Sequence, residues 1–177
     1  MSKKALILTW ELYQDHEVVY PYYRLTEDEF DVTLMANKIG RIYGLLGAHM
    51  DCNALLTELS DESLVNKYLS FDLLVIPGGV KALEKLRQES DVLRFVHLWN
   101  SHSKPIASIC HGAQLMISSS IVSGRKISGY YSIKDDINNA GGTFVDNPVV
   151  RDGNVVSSPH YKYMGPWMKA AIDLTND

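Results

Sequence analysis

The most reactive side chain of the sequence stands where a strand-like run gives way to a helical pattern. The apolar run 105–110 ends in Cys110, and His111 and Gly112 follow directly. A residue at such a tight turn projects its side chain beyond the carboxyl edge of a sheet. Unpaired backbone N–H groups at the start of a helix favour the thiolate, which is the nucleophilic form of cysteine, and can hold an oxyanion. The stretch therefore predicts a nucleophilic cysteine with a lowered pKa.

Other interpretations of this stretch stay open. Free cysteine is among the most buried residue types, so Cys110 could be an ordinary core side chain. His111 could serve as a general base only if its ring turned toward the sulfur. Otherwise it is a histidine at a helix N-terminus, bonded to a neighbouring group. Gly112 would keep the approach to the sulfur open and spare the turn a clash with a Cβ atom.

Strand-like and helical patterns alternate along the chain. Strands are predicted at 4–9, 31–36, 72–77, 105–110 and 154–158, and helices at 17–24, 64–69, 92–101, 133–140 and 163–174. This alternation is typical of α/β folds, in which a mostly parallel sheet is covered on both faces and sites form at the carboxyl ends of the strands. Pro21 fits the first helix only if that helix starts late or kinks there. No linker or repeat interrupts the pattern, so we expect one domain over 1–177.

Composition excludes several functional classes. The 177 residues are 46% hydrophobic and 21% charged, with a net charge of −4, which argues against a nucleic-acid partner held by general electrostatic attraction. No apolar run approaches the roughly 20 residues of a membrane span, so no membrane partner is expected. Cys52 and Cys110 are the only cysteines and form no CxxC pair. We expect a cytoplasmic protein with reduced thiols, no cofactor, no metal site and an idle thiol at Cys52.

Several stretches besides the cysteine turn resemble the PfpI/ThiJ superfamily, and its PfpI-type intracellular protease branch in particular. They are KKALILTWELYQDHEVVYP, FDLLVIPGG, ASICHGAQLMIS and the segment that begins with SGRKISGYY and ends with RDGNVVSS. In this order they cover nearly the whole chain. The resemblance implies a flavodoxin-like three-layer sandwich of the class I glutamine-amidotransferase type, with a strand–nucleophile elbow–helix. It also implies a homodimer or a larger oligomer built from dimers.

The resemblance implies roles for residues outside the cysteine turn. Glu17 stands four residues before Pro21, where family members hold a carboxyl against the nucleophilic cysteine. A semi-buried carboxyl beside a thiolate should have a raised pKa, which suits acid–base work. Without the resemblance, Glu17 is a solvated glutamate in the first turn of a helix. Gly78 and Gly79 match a family turn that lends a backbone N–H to an oxyanion hole, although a plain turn explains them equally well.

The sequence departs from the family pattern at positions that could shape the pocket. The protease-like branch places a glutamate across an oligomer interface, near the histidine beside the nucleophile. Here that position is Leu83, and Glu84, one residue later, is the candidate inter-subunit residue. A cationic site group that the family usually has after the last strand is missing here or replaced by His160 or Lys162. His16 could line the pocket, and Trp10 could narrow it or be a core or interface side chain.

Three functions are compatible with these residues. In an enzyme, Cys110 attacks an electrophilic carbon, backbone N–H groups near Gly79 and His111 hold the oxyanion, and Glu17 moves the proton. The resemblance implies peptide or amide hydrolysis, conversion of 2-oxoaldehydes, or removal of glyoxal-type adducts. The missing glutamate favours a small carbonyl substrate over a peptide. Alternatively, the protein is a redox sensor or stress protein with an oxidisable Cys110, or a module that only binds a metabolite.

Overall fold

The structure is a computed structural model that describes residues 2–176. Its strands are β1 (Lys4–Leu8), β2 (Asp31–Ala36), β3 (Gly40–Tyr43), β4 (His49–Cys52), β5 (Ala54–Leu55), β6 (Leu73–Ile76), β7 (Ile106–Ile109), β8 (Lys126–Ile127), β9 (Thr143–Phe144), β10 (Val150–Asp152) and β11 (Val155–Ser158). Its α-helices are α1 (Asp15–Glu27), α2 (Glu62–Leu69), α3 (Val80–Leu86), α4 (Ser90–Ser101), α5 (Ala113–Ser118), α6 (Lys134–Asn139) and α7 (Met164–Leu174). All five predicted strands and all five predicted helices are therefore present.

The central sheet has seven strands in the order β10-β11-β7-β6-β1-β2-β5. Only β10 runs antiparallel to its neighbour, so the sheet is mostly parallel, as predicted. Helices α1 and α7 contact each other, and α5 contacts α3, α4 and α6. The result is a three-layer α/β sandwich. Because its parallel strands run the same way, the carboxyl ends of β1, β6, β7 and β11 meet at one edge.

The inner strands are rich in apolar residues and carry only small serines among them, so both of their faces can be buried. Every residue of β6, β7 and β11 is buried, and so is all of β1 after Lys4. Such uninterrupted burial is what a parallel sheet covered by helices requires. Trp99 of α4 and Trp167 of α7 are fully buried and fill the core around the sheet. No helix among residues 2–176 has the length and apolar character needed to cross a membrane.

The first helix differs from its prediction. It begins at Asp15, two residues before the predicted start, and Pro21 lies in its interior. Of the two alternatives for Pro21, the late start is therefore excluded. Proline has no N–H, so the carbonyl of Glu17, four residues back, lacks its usual helical donor. Pro21 is itself buried, and packing of this face against the core holds the helix together.

Candidate active site

Cys110 occupies a sharp turn between β7 and α5. Its backbone has φ of 58°, a left-handed conformation that is unfavourable for a residue with a side chain. The turn is closed by a 3-10 segment from Cys110 to Gly112. A Cβ atom on Gly112 would collide with the Ile76 carbonyl oxygen and lie 2.9 Å from Ser108 Oγ. Gly112 therefore allows the turn to pack against the end of β6, and it faces the sheet rather than the sulfur.

Glu17 lies beside Cys110 although it stands 93 residues earlier in the sequence. Its side chain is fully buried on α1. Oε2 accepts a hydrogen bond of 2.7 Å from the Gly78 backbone N–H. Oε1 is buried without a hydrogen-bond partner of regular geometry. The neighbouring Cys110 thiol interacts with the carboxyl as a hydrogen-bonding group, so it is the available proton donor. Strands β1 and β7, which precede Glu17 and Cys110 in the sequence, end at this edge and bring the two side chains together.

Burial controls the acidity of the Glu17 carboxyl. It raises the pKa of Glu17 from its ordinary value of 4.5 to about 7, because a charged carboxylate loses its hydration there. The hydrogen bonds from Gly78 and Cys110 act in the opposite direction and do not cancel the effect. The carboxyl thus changes protonation state near neutral pH, which suits a group that gives and takes a proton.

The acidity of Cys110 corrects the prediction made from its turn. Burial raises the pKa of the thiol, and the charge of Glu17 raises it further. The backbone N–H groups of His111 and Gly79 lower it, but less. The helix that follows has only six residues, so its dipole is small. Cys110 is therefore a protonated thiol at rest, and it needs Glu17 to accept its proton.

Two backbone donors lie against the sulfur. They are the N–H groups of Gly79 and His111, both of which hydrogen-bond to Cys110. Gly79 has φ of 102°, and a Cβ there would lie 2.5 Å from the Gln14 nitrogen, so the position requires glycine. Donors fixed beside an attacking sulfur can hold the oxygen of a carbonyl as it gains negative charge.

The imidazole of His111 contacts the Cys110 sulfur, the Ser132 hydroxyl and the ring of Tyr130. Its Nδ1 lies 3.4 Å from Cys110 Sγ, and its Nε2 lies 3.4 Å from Ser132 Oγ. The imidazole stacks on Tyr130 with 4.8 Å between ring centroids. Burial lowers the pKa of His111, so the ring is neutral near pH 7. His111 therefore does face the sulfur, and it can exchange a proton with a group bound there.

A cavity of about 270 Å³ opens above Cys110. It is lined by Gln14, Leu45, Gly79, Val80, Cys110, His111, Tyr130, His160 and Tyr161. Cys110 is only 7% exposed, so the sulfur forms the floor of this cavity. A larger cavity of about 570 Å³ lies elsewhere, near Lys104 and Arg125, and contains neither member of the acid–thiol pair. Among residues 2–176, no three His, Cys, Asp or Glu side chains are grouped to hold a metal ion.

Comparison with known sequences decides the family. A sequence model of the DJ-1/PfpI family matches residues 3–174. The chain belongs to the DJ-1/PfpI family. A deglycase from Pyrococcus horikoshii is 37% identical over 171 residues, which make up 97% of this chain and 98% of that protein. Deglycase PfpI from Pyrococcus furiosus is 35% identical over the same shares of both chains.

A solved structure agrees with this assignment. A two-domain protein from Anabaena variabilis, with DJ-1/ThiJ/PfpI-like and ferritin-like domains, superposes with a TM-score of 0.88 at 27% identity. The alignment covers 97% of this chain and 48% of that one, so our chain spans about half of it. The family resemblance and the flavodoxin-like three-layer fold are confirmed. As a DJ-1/PfpI member related over nearly its full length to deglycases, the protein is an enzyme of the PfpI type.

Of the residues predicted for the pocket of this DJ-1/PfpI protein, Gly79 and His160 line the cavity, whereas Trp10 and His16 lie away from it. Trp10 packs against the hydrophobic core, so it does not narrow the pocket. His16 is exposed, because it precedes Glu17 on α1 and neighbouring helical residues point about 100° apart. His16 stacks instead on Tyr161, at 4.8 Å. His160 does line the cavity, whereas Gly78 lies behind its wall, against Glu17.

Glu84 lies on the exposed side of α3, away from the cavity of its own chain. It borders a separate cavity with Lys81, Arg87 and Gln114. Leu83, the position that carries the family's inter-subunit glutamate, is fully buried in the core. An inter-subunit role for Glu84 stays a prediction.

Sequence reasoning missed the residues that hold the mouth of the cavity. Asp15 is buried, and its two carboxyl oxygens accept hydrogen bonds of 2.7 Å from the backbone N–H groups of Leu46 and Ala48. These bonds fix the loop between β3 and β4, which places Leu45 in the wall. The only available signal was the pair of acidic residues Asp15 and Glu17 in one helical turn, which reads equally well as helix capping.

Gly78 offers a direct test of the close packing around the pair. A Cβ atom there would lie 2.8 Å from Cys110 Cβ and collide with Glu17 Oε2. We expect Gly78→Ala to lower the free energy of unfolding by about 1–3 kcal/mol, measured by urea denaturation. Gly165→Ala is the control, since its Cβ would meet only Tyr20 Oη at 4.0 Å. Equal stability of the two variants would refute the packing shown by the structure.

Proposed function

We propose that this protein is a cysteine-dependent deglycase that removes adducts formed by 2-oxoaldehydes on amines and thiols. The observation that carries the proposal is the buried acid–thiol pair, Glu17 and Cys110, at the floor of a small cavity. A volume of about 270 Å³ accommodates a small carbonyl compound better than an extended peptide. The relatives that bear the name deglycase support the same choice.

The first step joins the sulfur to the substrate. Glu17 takes the thiol proton as Cys110 Sγ forms a bond to the carbon that carries the adduct nitrogen. The C–N bond breaks, and Glu17 gives the proton that it took from the thiol to the nitrogen of the leaving amine. The backbone N–H groups of Gly79 and His111 stabilise negative charge on the substrate oxygen during this exchange. The product of the step is a hemithioacetal on Cys110 and a free amine.

The remaining steps release the repaired carbon skeleton. A proton moves from the hemithioacetal carbon to the neighbouring carbonyl carbon through an enediol, and His111 lies where it can carry that proton. The former aldehyde carbon is thereby oxidised and the former ketone carbon reduced, so no external oxidant is needed. Water then cleaves the resulting thioester and releases a 2-hydroxy acid and the thiol.

The alternative of a redox sensor is weaker. Oxidation to a sulfenic acid proceeds from an accessible thiolate. Cys110 is 7% exposed, and its burial raises the pKa of the thiol. Both features slow the reaction with peroxides.

A rate comparison tests the proposal. The full chain is incubated with the methylglyoxal adduct of N-acetyllysine, and release of the amine is followed together with formation of lactate. An enzyme that consumes only free methylglyoxal cannot release amine faster than the adduct dissociates by itself. We expect release well above that spontaneous rate. Release at the spontaneous rate, with lactate still formed, would replace the proposal by a glyoxalase activity, and cleavage of a peptide amide alone would replace it by a peptidase.

A further inference from the structure

A row of five rings, in which imidazoles and phenols alternate, begins in one wall of the cavity and ends at His16, which lies outside it. From the sulfur outward, His111 lies on Tyr130 at 4.8 Å, and Tyr130 lies near His160 at 6.2 Å. His160 contacts Tyr161 at 4.0 Å, and Tyr161 stacks on His16 at 4.8 Å. Three of the four contacts have interplanar angles of 18–28°, so most of the rings are close to parallel. We call these five residues the ring wall.

The part of the ring wall that lines the cavity carries no fixed charge. Burial lowers the pKa of His111, and burial together with the charge of Lys162 lowers the pKa of His160, so both rings are neutral near pH 7. Among the described residues, the cavity is lined by no Lys, Arg, Asp or Glu side chain. Lys162 lies outside the lining, with its ammonium over the ring of Tyr163 at 4.9 Å.

The charges that remain near the sulfur are negative. Once the pair of Glu17 and Cys110 has lost one proton, it holds one negative charge at the floor of the cavity. An anionic substrate would therefore enter without a cation to replace its hydration and would approach the negative charge of the pair, whereas a cationic substrate would be attracted by that charge.

We propose that this uncharged lining makes the site selective for carbonyl adducts that are neutral or positively charged, and that it rejects adducts that carry a carboxylate. His160 is the specificity-determining residue, since it lines the cavity at a position from which a cation would reach an entering substrate. The inference rests on the proposed function for its substrate class, but the charge preference itself concerns access to Cys110 and holds without turnover.

Alkylation of Cys110 tests the charge preference independently of catalysis. Iodoacetamide and iodoacetate have the same size and differ by one negative charge. We expect the ratio of their rates at Cys110, followed by intact mass, to exceed the ratio for free 2-mercaptoethanol by about tenfold. In His160→Arg, which adds a fixed cation to the wall, the iodoacetate rate should rise several-fold while the iodoacetamide rate changes little. A ratio equal to that of the free thiol, in the wild-type protein, would overturn the inference.

Turnover gives a second readout on matched substrates. The methylglyoxal adducts of N-acetylcysteine amide and N-acetylcysteine differ only in a carboxylate, and the adduct of N-acetylarginine amide carries a guanidinium. We expect kcat/KM to be lowest for the carboxylate, and His160→Arg to raise kcat/KM for the carboxylate adduct several-fold relative to the neutral one. Tyr23→Arg, which places the same charge at an exposed position outside this cavity, is the control.

The two proposals fail separately. Equal turnover of all three adducts would overturn the selectivity and leave the deglycase function standing. Absence of turnover on every adduct would overturn the proposed function, and the alkylation ratio would then decide the charge preference alone.

Discussion

Replacing Cys110 with serine is expected to lower kcat by at least about 10³-fold on a methylglyoxal adduct. A serine hydroxyl is far less acidic than a thiol, and Glu17, with a pKa of about 7, is too weak a base to ionise it. The substitution changes one atom and keeps the left-handed turn, so the fold should survive. The measurement is single-turnover release of the amine, which separates chemistry from product release.

Cys52 provides the matched control. Its sulfur is buried and donates hydrogen bonds to the carbonyl oxygens of Leu34 at 3.2 Å and Ala54 at 3.1 Å. The single O–H of a serine can donate to either carbonyl as the S–H does, so Cys52→Ser should keep full activity. If Cys110→Ser retained activity, or if Cys52→Ser lost as much, Cys110 would not be the nucleophile.

Glu17→Gln is expected to lower kcat/KM by about 10²–10⁴-fold, because the amide cannot accept the thiol proton. The amide oxygen can still accept the hydrogen bond from Gly78, so the variant removes the proton transfer and keeps the packing. In the wild-type protein, kcat/KM should rise with pH through about 7, as the pair loses its first proton. The variant should lack this step. A step near pH 7 that persists in Glu17→Gln would assign it to another group, such as His111.

Glu17→Gln lowers activity, but it should make the protein less sensitive to the loss of stability at higher pH. The pKa of Glu17 is higher in the folded protein than its ordinary value of 4.5, so folding binds a proton, and stability falls as pH rises from about 4.5 to about 7. The difference corresponds to about 3 kcal/mol above pH 7. Glu17→Gln carries no ionisable group and should escape this loss. Urea unfolding at pH 5 and pH 8.5 measures it, and an equal pH dependence in both proteins would contradict burial of the carboxyl.

Local patterns carried enough information to predict the elements that position the site. The apolar runs at β1, β6 and β7 place the ends of three buried strands at one edge, and the Cys-His-Gly turn lies at one of those ends. Glu17 could be predicted only through the family resemblance, since a glutamate in the first turn of a helix is usually solvated. What brings it to Cys110 is packing of α1 across the sheet, over 93 residues of sequence.

The properties that sequence could not supply depend on burial. The direction of the Cys110 pKa was mispredicted because the turn's donors are visible in sequence, whereas the depth of the sulfur is not. The ring wall brings together His16, Tyr130 and Tyr161 from distant segments, so no spacing in the sequence could predict it. Leu45 lines the cavity because Asp15 holds the hairpin loop between β3 and β4. These hydrogen bonds of Asp15 are likewise long-range contacts.

The pH dependence of Cys110 alkylation by iodoacetamide, in the wild-type protein and in Glu17→Gln, tests the partnership of sulfur and carboxyl most directly. Near pH 7 the pair of Glu17 and Cys110 loses one proton. The proton that remains can move to the carboxyl and leave the sulfur as a thiolate, without a change in the total charge of the pair. The wild-type alkylation rate should therefore rise near pH 7. In Glu17→Gln the buried thiol must ionise alone, and its rate should rise only at clearly alkaline pH. Identical alkaline profiles for the two proteins would show that the carboxyl does not share the thiol proton.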